Sequence, residues 1–329
     1  MSWDLLGHKW AEDLLRTHIA RDDARHAYLI TGAPGVGRRS LALAFASAVN
    51  CLQPPEPGDY CGTCRVCRQT ARMQLPDLSL VTPESEGGMI KVGQVRELQH
   101  TLSLTPYEAR YRVALLLNFQ LANANAQNAL LKTLEEAPPR VILLLTADSA
   151  DSLLPTISSR CEILRLRPVA VEVLEEALIS RWNLIPADAR LYAHLSSGRP
   201  GLARQMASDP AMLEKRRGWL DEFMRLLPLN RRERFAAAET LSRNRDQLRL
   251  MLQVWLSFTR DILLSANGMQ SKVVNLDYVS DSGRIAAALP AQRSLAIVDT
   301  LIHGLENLEA NANLRLMLDN ILLDLPSIN

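Results

Sequence analysis

Aromatic residues make up only 5% of the 329-residue chain. Charge of one sign is also missing, since 37 Lys and Arg face 36 Asp and Glu. Proteins that grip nucleic acid alone rely on clustered basic residues and stacking rings, so these two shortages argue against a stand-alone, zinc-dependent DNA binder. No apolar run reaches the ~18 residues of a membrane span, and the N-terminal segment does not read as a secretory signal. The expectation is a cytoplasmic protein without a membrane partner. At 47% hydrophobic and 22% charged residues, the composition suits soluble globular domains, of which this length predicts two or three.

Two further absences bear on chemistry. Thr31 to Ser40 reads Thr-Gly-Ala-Pro-Gly-Val-Gly-Arg-Arg-Ser, between an apolar run at 27–30 and a helical run at 41–49. Strand, glycine-rich loop and helix form the setting of a phosphate-binding loop. Gly32 and Gly37 occupy its two glycine positions, and Gly35 adds freedom for backbone N–H groups to approach a phosphate. The motif then requires Lys followed by Ser or Thr, and this chain has Arg38 and Arg39. Ser40 comes one residue late, about 100° round a helix from a magnesium ligand's place. The second absence is at the apolar strand over 113–117, which runs into Asn118 and Phe119 with no Asp or Glu to hold magnesium or activate water. Arg38 and Arg39 admit two readings: they grip an anion, such as the phosphates of ATP or ADP, at a helix N-terminus, or they face solvent on a loop retained for packing. Hydrolysis is disfavoured under both.

Cysteine is scarce but placed with purpose. Cys51, Cys61, Cys64 and Cys67 fall within seventeen residues, as Cys-x9-Cys-x2-Cys-x2-Cys. Paired Cys-x2-Cys turns present thiolates at the spacing of a tetrahedral, structural Zn²⁺ site, and in a cytoplasmic chain that reading outranks disulfides. Pro54, Pro55, Pro57, Gly58 and Gly62 are expected to exclude regular structure there. Cys161 stands apart and reads as a small buried apolar residue. His100, His194 and His303 read as surface or packing residues.

Periodicity predicts a helix over 4–20, strands over 27–31, 78–81, 113–117 and 141–146, and helices over 41–50, 90–102 and 124–135. Alternating strands and helices with apolar strands mean an α/β domain with a largely parallel sheet, ending near Arg167. Two or three short helices follow over 171–204, and from 209 the chain reads as helical almost to its end.

Asn128 to Pro139, Asn-Ala-Leu-Leu-Lys-Thr-Leu-Glu-Glu-Ala-Pro-Pro, resembles a specific signature of the bacterial clamp-loader family. Ile90 to Leu98, Leu102 to Glu108, Ser159-Arg160-Cys161, the placement of the four cysteines and the ending Asn313 to Asp319 are similar to the same family. The resemblance implies an AAA+ P-loop domain over 1–167 with a zinc module inserted at 51–67, a small helical lid over 168–208, and an all-α collar over 209–329. It implies a ring formed with motor subunits (tau/gamma) and a delta subunit of DNA polymerase III, which opens a sliding clamp and places it on primed DNA. Arg38, Arg39, Leu117 and Asn118 depart from the motor pattern, as in the family's non-motor subunit. The resemblance also implies that Arg160 reaches the γ-phosphate held by a neighbour, as an arginine finger supplied in trans. An autonomous ATPase motor of the same family is the alternative. Arg199 sits where relatives carry a second sensor arginine, but Pro200 and Gly201 beside it argue for a turn ahead of a helix.

Overall fold

The structure, a computed structural model, describes residues 3–85, 87–310 and 312–328. It divides into two compact units, Met1–Ala177 with Gly198–Leu202, and Leu178–Ser197 with Ala203–Asn329.

The first unit alternates strand and helix: α1 (Lys9–Ala20), β1 (Ala27–Thr31), α2 (Arg38–Asn50), α3 (Arg65–Ala71), β2 (Leu78–Val81), α4 (Val92–Leu102), β3 (Arg112–Leu116), α5 (Ala124–Glu135), β4 (Val141–Ala147), α6 (Pro155–Ser158) and β5 (Glu162–Arg165). The strands form one parallel sheet in the order β2-β3-β4-β1-β5. Successive side chains of a strand point to opposite faces, so β1 feeds two cores. Tyr28 and Ile30 pack with Leu41 and Phe45 of α2, whereas Ala27 and Leu29 belong with Val95 of α4 and Leu130 of α5. Every residue of β1, β3 and β4 is buried, which is why these strands read as unbroken apolar runs.

The sequence expectation misses β5. Its four residues begin and end on a charge, and as an edge strand paired only to β1 it carries no apolar run. The helix expected over 4–20 begins at Lys9, because Gly7 (φ 86°) and His8 (φ 25°) leave helical space. The helix expected from 41 begins at Arg38, so both loop arginines lie in its first turn. Regular structure also enters the cysteine segment: Cys64 caps α3 by accepting the Cys67 N–H on its sulfur, and Cys67 lies on that helix.

Just before β2, Asp77 is fully buried and accepts N–H bonds from Tyr107, Glu108 and Ala109 at 2.7–2.9 Å, with Arg112 3.2 Å away. Burial alone raises the pKa of a carboxyl, but the three N–H donors and the guanidinium outweigh it and hold Asp77 below the ordinary carboxylate value.

The helices α7 (Val171–Ser180), α8 (Pro186–Leu195), α9 (Pro200–Ser208), α10 (Pro210–Leu226), α11 (Arg231–Leu241), α12 (Arg245–Ala266), α13 (Val279–Ala288), α14 (Ala291–Glu309) and α15 (Leu314–Asp324) complete the chain. In the second unit Leu220, Phe223, Leu252, Trp255, Phe258, Leu301 and Leu318 form the core, with Phe223 edge-on to both Trp255 and Phe258. Asn230 and Glu233 close α11 with a reciprocal capping box, satisfying two backbone donors at its start. Among the described residues no single helix is long and apolar enough to cross a membrane.

Candidate functional site

The C-terminal ends of β1, β3 and β4 converge on the glycine-rich loop. In an open parallel sheet this is where ligands bind, at the point where neighbouring connections diverge, here between β1 and β4. Gly35 (φ 83°) and Gly37 (φ 114°) take left-handed backbone that favours glycine. Space is short as well. A Cβ on Gly35 would lie 2.9 Å from the backbone nitrogen of Leu202. Gly201 donates its N–H to the Gly35 carbonyl at 2.7 Å, and a ring nitrogen of His8 lies 2.9 Å from the Val36 carbonyl. The loop is therefore braced on two sides by the protein's own backbone and imidazole.

Arg38 stands where the motif places Lys. Its side chain is only 8% exposed, and it points across the sheet's end rather than out of the loop. Nη1 donates to Asp148 Oδ1 at 2.8 Å and Nη2 to Asn118 Oδ1 at 3.0 Å. Asn118 follows β3 and Asp148 follows β4, so one guanidinium ties both strand ends to α2. Asn118 is held for this contact: its backbone is left-handed (φ 51°), and its N–H donates to Thr146 Oγ1 at 2.8 Å. Arg39 faces outward, with Nη2 3.2 Å from Met73 Sδ. The fold thus separates two residues that the sequence treats as a pair. Asp148 is the residue sequence reading missed. An acidic side chain one residue past β4, on the ligand-binding edge of the sheet, was the available signal.

Arg160 lies between α6 and β5, far along the chain from the loop. Its Nη2 is 2.7 Å from Glu135 Oε1, at the end of α5, and Nη1 donates to the Thr156 carbonyl at 2.9 Å. The side chain is 35% exposed and its partner 50% exposed, so this is a surface pair, worth at most about 1 kcal/mol. Glu162, its neighbour in sequence, instead faces Arg25 and His18 at 3.8 and 3.9 Å.

The four cysteines meet. Their sulfurs all lie within 4.8 Å of one another, with Cys51 and Cys61 3.6 Å apart and Cys61 and Cys67 4.0 Å apart. Four thiolates about 2.3 Å from a tetrahedral Zn²⁺ stand about 3.8 Å from each other, so the set fits that ion. All five cysteines of the chain are free thiols. Backbone N–H groups of Cys61, Cys64 and Cys67 point at the sulfurs of Cys51, Cys61 and Cys64 at 3.2–3.4 Å, a donor shell that favours thiolates. The N–H of Cys64 leads the lowering of the Cys61 thiol to about 6, while burial pushes Cys67 up. Trp3 Nε1 donates to the Gly58 carbonyl, and Arg16 pairs with Glu56, which anchors this loop to the N-terminal segment and α1. Cys161 is not part of the cluster, and burial raises its thiol to about 12.

Residues 7–170 match the family described as DNA polymerase III, delta subunit, and residues 210–326 match that family's C-terminal domain. DNA polymerase III subunit delta-prime of Bacillus subtilis is 35% identical over 56% of this chain and 54% of its own length. The delta-prime subunit of Pseudomonas aeruginosa is 38% identical over 47% of each chain. This chain belongs to the DNA polymerase III delta-prime family. The chain spans about half the length of the curated relatives it matches. Subunits named tau or gamma are 28–31% identical over a similar span. A DNA polymerase III gamma subunit-related protein of Thermotoga maritima shares the fold, with a TM-score of 0.51 at 19% identity over 95% of this chain and 97% of its own. Membership of the delta-prime family agrees with the resemblance seen in Asn128 to Pro139 and in the cysteine spacing.

Proposed function

We propose that this chain is the non-hydrolysing subunit of a clamp loader, assembling with tau/gamma motor subunits and a delta subunit to help place a sliding clamp on primed DNA. The observation that carries the reading is Arg38. A loop that turned over nucleotide would keep a cation free for the β- and γ-phosphates and an acid free for magnesium. Here the loop cation and the nearest strand-end acid, Asp148, neutralise each other at 2.8 Å. The phosphate-directed role passes to Arg160, whose surface pair with Glu135 is weak enough to exchange for a neighbour's γ-phosphate.

The matches to tau and gamma subunits favour a second reading, an autonomous ATPase of the same complex. One preparation tests both. The purified chain is expected to show no magnesium-dependent ATP turnover, and to elute as one complex with motor and delta subunits on size exclusion. Turnover by the lone chain would establish the motor reading instead.

The four thiols would hold a structural Zn²⁺, closing the 51–67 loop onto α3. Purified protein should carry about one zinc per chain, and Cys61→Ser should release it and lower the melting temperature. A bound metal at about 100 times its Kd stabilises the folded state by about 2.7 kcal/mol, which sets the scale of the loss. Less than about half a zinc per chain without chelators would remove this assignment.

A further inference from the structure

The helix α3 has two opposed faces. At about 100° per residue, Val66, Cys67 and Thr70 cluster on one side and Arg65, Arg68 and Arg72 within about 60° on the other. The first three are buried, the arginines exposed. Arg65 is engaged by Glu108 at 3.0 Å. Arg68 and Arg72 have no carboxylate partner among the described residues. Arg39 joins them from α2: its contact with Met73 Sδ at 3.2 Å puts its guanidinium beside the C-terminal end of α3, and it too has no carboxylate partner. Among the described residues these three guanidinium groups have no carboxylate partner, Arg68 and Arg72 on one face of α3 and Arg39 beside its C-terminal end.

We propose that Arg39, Arg68 and Arg72 form a docking stripe for the phosphate backbone of a DNA strand outside the nucleotide loop. Arginine forks take phosphate oxygens in pairs, and backbone contacts need no base readout, so binding is independent of sequence. The same face argues against a folded acidic protein as occupant. Protein interfaces are anchored by buried aromatic or large apolar side chains, and apart from its arginines α3 itself offers only Gln69 and Ala71 outside the buried side. With three contacts, binding is weak and strongly salt-dependent. The choice of DNA among polyanions rests on the replication reading above.

The test is fluorescence anisotropy of the full chain with a labelled thymidine oligomer of about twenty nucleotides, from low to moderate salt. Three neutralised phosphates on a single strand give log K against log salt a slope of about −2. The triple variant Arg39→Gln/Arg68→Gln/Arg72→Gln is expected to lose about tenfold or more in affinity at low salt and most of that slope. Arg68→Lys/Arg72→Lys keeps the charge and should keep the slope. Arg65→Gln, with its partner already in the protein, should leave binding unchanged. Retained assembly with motor and delta subunits separates loss of this stripe from failure of the clamp-loader reading. Unchanged affinity and slope in a triple variant with native circular dichroism would overturn the proposal, as would losses that affect a poly-glutamate probe but spare DNA.

Discussion

Replacing Arg160 with alanine is expected to lower ATP turnover at the adjacent nucleotide site of the reconstituted complex by on the order of 10³-fold. Phosphoryl transfer spreads negative charge over the transferring oxygens, and a planar, permanently charged fork is well shaped to meet it. Arg160 is free to make that move. Its bonds to Glu135 and to the Thr156 carbonyl lie at the surface, so nothing buried is orphaned when it leaves. For the same reason Arg160→Ala should fold and assemble normally, with a melting temperature close to the parent's. Steady-state ATPase of the complex with clamp and primed DNA is the measurement, and Arg160→Lys should recover little, since one ammonium cannot replace the fork. Parental turnover in the alanine complex would rule out the finger.

Replacing Arg234 with alanine should cost about 4 kcal/mol in the helical unit. Arg234 sits on α11, is 5% exposed, and spends its donors on backbone carbonyls at two helix ends. Leu226 and Leu227 at the end of α10 accept at 3.2 and 2.9 Å. Leu322, Leu325 and Pro326 at the end of α15 accept at 2.9, 2.6 and 2.8 Å. The last carbonyls of a helix have no partner within it, and they carry the negative end of its dipole. Burial lowers the guanidinium pKa, yet the group stays charged and matches that field. Leu226 and Leu227 keep backbone donors from Leu229 and Ile328, both at 3.3 Å, but alanine would take from the Leu322, Leu325 and Pro326 carbonyls their arginine donor in a dry site, at about 1–3 kcal/mol each before water enters the cavity. Calorimetry should show a transition lowered by roughly 10–15 °C. Arg234→Lys, with three donors and no fork, should fall between. A shift of less than about 2 °C for alanine would mean that water caps these helix ends equally well.

Much of the fold was legible because its signals are local. β1, β3 and β4 are buried on both faces, so their apolar runs read directly, and the bounds of α5 followed from periodicity. β5 was not legible, since an edge strand of four residues needs no apolar pattern. The four thiols were legible from spacing alone, because a tetrahedral ion constrains the turn that presents two of its ligands. Arg234 gave no sign: an arginine near a helix start looks the same whether it meets water or five carbonyls from two other helices.

By itself the sequence determined which groups the loop lacks, which thiols share a loop, and which segments are strand or helix, since each is a matter of residue type within a few positions. Only the tertiary structure decided where the charges go. Arg38 meets an acid 110 residues away, and Arg160 is held by Glu135 rather than Glu162. Electrostatic pairing acts through space at 3 Å, and the order of strands in a parallel sheet, not the order of residues in the chain, sets which side chains come that close.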